Sequence, residues 1–140
     1  MEEIGSILAA SGGMALLVDY GHLDPDFGDT LQAVRQHRFV DVLAEPGEAD
    51  LTAHVDFQSL AAVARKHGLA ATTMQQGNFL LKMGLLERAG RLGAPRDEEA
   101  RKRLASEVER LASQDQMGCL FKVLMVHPAN LRPPPSAGLD

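Results

Sequence analysis

The spacing of apolar residues divides the chain into helices and strands that alternate along the sequence. Residues 14–18 form an apolar run of five that stops on Asp19, which predicts a strand buried on both faces. A helical spacing over residues 2–11 precedes it and ends at two glycines. A second helix is predicted over residues 57–67, because Asp56 is an N-cap type and Gly68 follows the apolar pattern.

The later part of the chain continues the same alternation. Residues 69–74 are short, partly β-branched and one turn after a helix, which predicts a second strand parallel to the first. Helical patterns follow over residues 79–86 and 97–113, separated by a loop at 90–95, and residues 119–126 predict a last strand. Residues 31–43 match neither period and predict irregular structure or short strands.

These elements predict one α/β domain and a tail. We expect a partial domain over residues 1–127, with a helical insert at about 78–113. Residues 128–140 hold four of the seven prolines and little apolar bulk, so they predict an extended, flexible tail.

Composition narrows the class of partner and the compartment. The formal net charge of −5 and the lack of a long basic cluster argue against nucleic acid, and no apolar run is long enough to insert in a membrane. The acidic N-terminus resembles neither a secretory signal nor a transit peptide. Cys119 is the single cysteine, which excludes an internal disulfide and predicts a cytoplasmic location, with this residue as a small core side chain in the last strand.

Residues that could bind a ligand follow the predicted strands directly. Ligands of open α/β sheets bind beyond the carboxyl ends of parallel strands, which is where Asp19, Tyr20, Gly21 and His22 and, for the second strand, residues 75–78 would lie. For Asp19, a role in capping the turn and a role in a ligand site have about even odds.

Other candidate groups allow a structural explanation. His54 and Asp56 could serve as base or ligand, although a packed histidine and a helix cap are the more common roles. Asp24, Asp26 and Asp29 resemble the start of a calcium loop, but Pro25 and a missing glutamate argue against it. The strong motifs for nucleotide, phosphate and zinc are missing from the sequence.

Five blocks of the sequence resemble, in order and spacing, the carboxyl half of the MidA family of S-adenosyl-L-methionine (SAM)-dependent methyltransferases, which includes a mitochondrial arginine methyltransferase of complex I assembly. The resemblance covers about residues 4–126, in the blocks GGMALLVDYGH, GDTLQAV, PGEADLTAHVDFQSL, QQGNFLLKMGL and MGCLFKVL. It implies the second half of a class I, Rossmann-like methyltransferase sheet, in which the last strand is antiparallel and lies between two parallel strands.

The resemblance also implies a function and a site. It implies SAM as cofactor, arginine N-methylation of a protein substrate such as a respiratory complex I subunit, and a mitochondrial matrix location for eukaryotic relatives. The candidates for the substrate wall of that site are Asp19, Tyr20, His22, Asp50, His54 and Asp56.

One departure from the family pattern sets a further expectation. Family members bind SAM through a glycine-rich turn after the first strand, and this sequence has no such turn. We therefore expect a carboxyl-terminal portion, inactive alone and completed by a missing amino-terminal half or by self-association. The alternative is a non-catalytic α/β module that binds a partner protein.

Overall fold

The computed structural model describes residues 1–24, 28–44 and 46–131. Residues 132–140, most of the predicted tail, lie outside the described residues. The elements in chain order are α1 Glu2–Ser11, β1 Ala15–His22, β2 Gln32–Arg35, β3 Arg38–Val40, β4 Asp50–Thr52, β5 Val55–Asp56, α2 Phe57–Lys66, β6 Leu69–Gln75, α3 Gln76–Lys82, α4 Leu85–Gly93, α5 Glu98–Ala112, α6 Met117–Leu120 and β7 Phe121–Pro128.

The main sheet has the strand order β5-β1-β7-β6. β7 runs antiparallel to both β1 and β6, so those two strands are parallel to each other but separated by β7. β5 adds a short parallel pairing at Gly21 and His22. The predicted fold class is confirmed, including the antiparallel last strand between two parallel strands.

The core lies between one face of this sheet and helices α1 and α2. Asp56 caps the start of α2, and the apolar stripe of that helix, with Phe57, Ala61 and Ala64 fully buried, packs onto Leu124 and Val126 of β7. Burying each large side chain contributes about 1.5–3 kcal/mol, so these contacts account for much of the domain's stability.

β1 differs from its prediction in length and in burial. It continues through Asp19 to His22, because pairing with β7 extends to Tyr20 and pairing with β5 covers the last two residues. The prediction that both faces are buried is wrong, since Leu16 is 49% and Val18 47% exposed. Only the face that carries Leu17 packs against the core cluster.

Helices α3 to α6 form the insert, with bounds that correct two sequence predictions. α4 extends to Gly93, so the predicted loop at 90–95 starts too early. Cys119 lies in α6 and is half-buried, not in a strand. The helices pack closely because Gly77 and Gly118 have no side chain, and a Cβ on either would collide with the backbone carbonyl of Ala112.

A second, three-stranded sheet with the order β3-β2-β4 is inserted between β1 and β5. The sequence predicted irregular structure or short strands here. The β2–β3 turn is made by Gln36 and His37, at φ 50° and 62°, a backbone region that favours glycine or asparagine. The sequence therefore carries no ordinary turn signal at this hairpin.

The free edge of β1 generates a prediction about self-association. Over residues 15–20 this edge pairs with no strand among the described residues, and exposed Leu16 and Val18 lie beside it. We expect the 140-residue chain to self-associate in sedimentation velocity, and the double change Leu16→Lys and Val18→Lys to shift it towards monomer. Leu86→Lys, at a position on α4 that is 58% exposed, is the control. A wild-type chain that stays monomeric at high concentration would contradict this prediction.

Candidate functional site

The carboxyl ends of β1, β5 and β6 and the start of β7 meet at one end of the main sheet, which we name the carboxyl edge. The strand register defines it by three cross-strand pairs. These are Tyr20 opposite Phe121, Gln75 opposite Lys122, and His22 opposite Asp56. In open α/β sheets this is the position at which ligands bind.

Three aromatic rings pack together at the carboxyl edge. The ring of Tyr20 contacts His54 at a centroid distance of 5.9 Å and Phe121 at 5.8 Å, both edge to face. The backbone N–H of His54 donates a hydrogen bond to Thr30 Oγ1 at 3.1 Å. The predicted residues Tyr20 and His54 are therefore brought into direct contact, and the backbone of His54 is held by Thr30, which lies at the other end of the chain segment that forms the small sheet.

Asp19 precedes Tyr20 on β1, so its side chain leaves the opposite face of the sheet from the aromatic rings, and its carboxylate is exposed to solvent. Its Oδ1 accepts a hydrogen bond from the Tyr20 N–H at 2.8 Å, within the strand and not in a turn. Opposite Asp19 on β7 is Lys122, which is buried and donates from Nζ to the carbonyl oxygens of Cys119 (2.5 Å) and Leu120 (3.1 Å). The lysine thus holds the end of α6 against the carboxyl edge.

Asp56 has the role of a helix cap. Its carboxylate accepts hydrogen bonds from the Ser59 backbone N–H at 3.0 Å and from Ser59 Oγ at 2.5 Å. The hydrogen bond from the Ser59 side chain is the main cause that holds the pKa of Asp56 below its ordinary value, with smaller help from the Ser59 N–H and from His22. His22 Nδ1 lies 2.8 Å from the Asp24 carbonyl oxygen.

The other predicted residues lie apart from the aromatic cluster. Asp50 is on β4 in the small sheet, opposite Val34. Gln75 ends β6 and donates to Cys119 Sγ at 3.4 Å, while Gln76 is buried and donates to the Leu111 carbonyl oxygen as α3 begins. Sequence reasoning missed Phe121 and Lys122, because only the antiparallel register of β7 places them opposite Tyr20 and Gln75.

The described residues show neither a metal-binding cluster nor a membrane-spanning helix. In the three described ranges, no group of three His, Cys, Asp or Glu side chains is placed to bind a metal ion. Of the aspartates that resemble the start of a calcium loop, which the sequence argued against, Asp26 lies outside those ranges, and Asp29 accepts a hydrogen bond from the Leu31 N–H at 2.9 Å. No helix in the described part has the length and apolarity of a membrane span.

Comparison with known proteins relates this arrangement to methyltransferases. Two solved structures from Burkholderia thailandensis share the fold. One, of an uncharacterized protein, has a TM-score of 0.82 at 26% identity and covers 97% of this chain and 38% of that one. The other, bound to S-adenosyl-homocysteine, has a TM-score of 0.78 at 25% identity, and the match covers 99% of this chain and 38% of that one. The fold is therefore that of part of a methyltransferase-like α/β domain.

The sequence comparisons identify the family. Residues 1–75 match the family described as "Putative S-adenosyl-L-methionine-dependent methyltransferase", and the chain belongs to this family. It is 36% identical over 126 residues to the mitochondrial protein arginine methyltransferase NDUFAF7 of Danio rerio, and 39% identical over 122 residues to the Drosophila melanogaster homolog. These matches cover 90% and 86% of this chain.

The length of the relatives limits what carries over from them. The chain spans about 30% of the length of the Danio rerio protein and 28% of the Drosophila melanogaster protein. Both names place those proteins in mitochondria, so these relatives give no support to the cytoplasmic location expected from the sequence.

The contact between β1 and β5 gives a prediction about stability. A Cβ on Gly21 would collide with the Val55 carbonyl oxygen, so Gly21→Ala must push β5 away from β1. We expect a loss of about 2 kcal/mol in the free energy of unfolding, measured by urea denaturation. Gly90→Ala is the control, since the added Cβ meets no atom within 4 Å other than its chain neighbours and the backbone of its own helix, and it should stabilise α4 by about 0.5–1 kcal/mol. Equal effects of the two changes would refute the close approach at Gly21.

The cap at Asp56 gives a prediction about acid stability. Because its folded-state pKa is below the ordinary value of 3.8, the stabilisation is present above about pH 3.8 and is lost as the pH falls through the folded-state value. Ser59→Ala removes the main cause, so it should raise the pKa of Asp56 in a carboxyl ¹³C NMR titration. Ser106→Ala, at an exposed position of α5, should leave it unchanged. An Asp56 pKa that does not respond to Ser59→Ala would exclude the capping explanation.

Proposed function

We propose that this chain supplies the acceptor-side part of a SAM-dependent protein methyltransferase whose acceptor is an arginine side chain. The observation that carries the proposal is the match of residues 1–75 to the family, because this range contains all six candidate residues and the β1 and β5 parts of the carboxyl edge. The relatives named protein arginine methyltransferases support arginine as the acceptor. The resemblance to the family implies a complex I subunit as the protein substrate.

The groups at the carboxyl edge suit the binding of a guanidinium. The faces of Tyr20 and Phe121 can contact its cationic plane on one side of the sheet, and the exposed carboxylate of Asp19, which leaves the other side, can reach it around the free edge of β1 by charge-assisted hydrogen bonds. As the nitrogen gains a methyl group it loses a proton, which a neighbouring carboxylate or His54 can accept. SAM supplies the methyl group when it is bound.

The roles of the remaining candidates follow from their contacts. His22 lies across from Asp56, whose carboxylate is already engaged by Ser59, so both help to fix the β1–β5 end of the carboxyl edge. Asp50 is placed on the small sheet, where it can contact an acceptor polypeptide outside the reacting group.

In this proposal most of the SAM pocket is supplied from outside this chain. A cavity of about 390 Å³ lies against α4 and is lined by Arg88 and Arg91, and a cavity of about 400 Å³ lies beside β2 and is lined by Val34, Glu48 and Asp50. Neither cavity is lined by the residues of the aromatic cluster. The carboxyl edge offers side chains but no glycine-rich turn of backbone N–H donors. We therefore assign only the acceptor side of the reaction to this chain.

Reconstitution tests the proposal. The 140-residue chain alone should bind SAM no tighter than about 1 mM in isothermal titration, a free energy of about −4 kcal/mol. Mixed with the amino-terminal part of the Burkholderia thailandensis protein that binds S-adenosyl-homocysteine, it should transfer a radiolabelled methyl group to an arginine peptide. Asp19→Asn in the chain should reduce that transfer by about 100-fold, because the carboxylate both orients and deprotonates the nitrogen.

Controls distinguish the alternatives. Glu3→Gln on α1 makes the same change in charge at an exposed position and should leave methyl transfer unchanged. Micromolar binding of SAM by the chain alone would refute the assignment to the acceptor side. A stable complex with the amino-terminal part that transfers no methyl group would favour the non-catalytic interaction module.

A further inference from the structure

The most exposed large apolar side chains of the described residues lie in the small sheet and in the loop between β3 and β4. Leu43 is 86%, Phe39 78% and Leu51 62% exposed. The three strands pack mainly against one another, and the buried Ala33 at their centre is small. Each face of the sheet therefore presents a strongly exposed apolar side chain to a partner, Phe39 on one face and Leu51 on the other.

The register of this sheet places three residues in a row on one face. Phe39 on β3 lies opposite Val34 on β2, and Val34 lies opposite Asp50 on β4. Neighbouring strands are about 4.8 Å apart, so the row runs about 10 Å from an aromatic ring, past an aliphatic side chain, to a carboxylate. Alternation along the strands puts Arg35 and Arg38 on the other face, together with Leu51.

We propose that the row Phe39–Val34–Asp50 is a docking site for an arginine side chain of the acceptor polypeptide, next to but outside the reacting centre. An arginine side chain has the complementary order of groups, with an aliphatic stem that can lie on Phe39 and Val34 and a guanidinium that can reach Asp50. Charge complementarity selects this occupant, because Asp50 is the charged member of the row and the whole chain carries a net charge of −5.

The position of the small sheet connects this row to the carboxyl edge. The chain leaves the main sheet after β1, forms the small sheet and returns to the main sheet at β5. The Thr30–His54 hydrogen bond joins the two ends of this chain segment beside the Tyr20 ring. A polypeptide held by the row is therefore kept near the aromatic cluster. The inference rests on the proposed function for the identity of the polypeptide, but binding to the row can be measured without methyl transfer.

Fluorescence anisotropy with two matched peptides tests the site on the 140-residue chain. The probe is a fluorescein-labelled Gly-Ser peptide with arginine at alternate positions, and its partner carries citrulline, which has the same shape without the charge. We expect the arginine peptide to bind and the citrulline peptide to bind at least about tenfold more weakly. Asp50→Asn should weaken arginine-peptide binding about tenfold, and Phe39→Ser about threefold.

Two control variants make the result specific to the row. Leu51→Ser removes an exposed apolar side chain from the opposite face of the same sheet, and Glu3→Gln removes one negative charge on α1. Neither should change binding of the arginine peptide. Equal binding of the two peptides, or equal losses for Asp50→Asn and Glu3→Gln, would overturn the proposal.

Further outcomes separate this inference from the proposed function and from other occupants. Methyl transfer in the reconstituted mixture that is unaffected by Phe39→Ser would leave the function standing and reject the docking site. Binding of the arginine peptide at the row without any methyl transfer would support the docking site and reject the proposed function. If Phe39→Ser instead turns a self-associated chain into a monomer in sedimentation, the row is a contact between copies and the proposal is wrong.

Discussion

The antiparallel pairing of β7 with two strands at once is the interaction on which the rest of the structure depends. Six residue pairs join β7 to β1 and seven join it to β6, so one strand sets the register of both. The same register buries Leu124 and Val126 under α2 and brings Phe121 against Tyr20. The core and the candidate site thus both depend on the register of β7, and a shift of β7 by one residue would disrupt both.

The sequence predicts the elements with strong local signals and misses those that depend on distant partners. Asp56 and Gly68 mark the ends of α2 because capping is a local interaction, and the predicted helix agrees with the structure to within a residue. The length of β1 could not be predicted, because its last four residues are polar or small and are held in the strand by β5 and β7. Short strands were one of the two alternatives for residues 31–43, but the hairpin turn could not be placed because Gln36 and His37 are neither glycine nor asparagine, the usual signals of a turn at positive φ.

The candidate site shows the same contrast between local sequence signals and contacts with distant partners. Tyr20 and His54 are identified by their place in the sequence, but their contact across the two ends of the small sheet is a tertiary feature. Asp56 has a local explanation as a cap, and the structure shows the hydrogen bonds of that cap. Lys122 gives no sequence signal beyond a charge in an apolar run, because its partners are the carbonyl oxygens that end α6.

The place of β7 in the chain has a consequence for folding kinetics. β1 and β6 are not hydrogen-bonded to each other, so the centre of the main sheet cannot form until residues 121–128 are available. About a hundred residues separate β1 from its partner, and closing a loop of that length delays pairing. During synthesis α1, α2 and the small sheet therefore leave the ribosome before β7, and their apolar surface stays exposed until β7 pairs with β1 and β6. A chaperone has the most surface to bind in this interval.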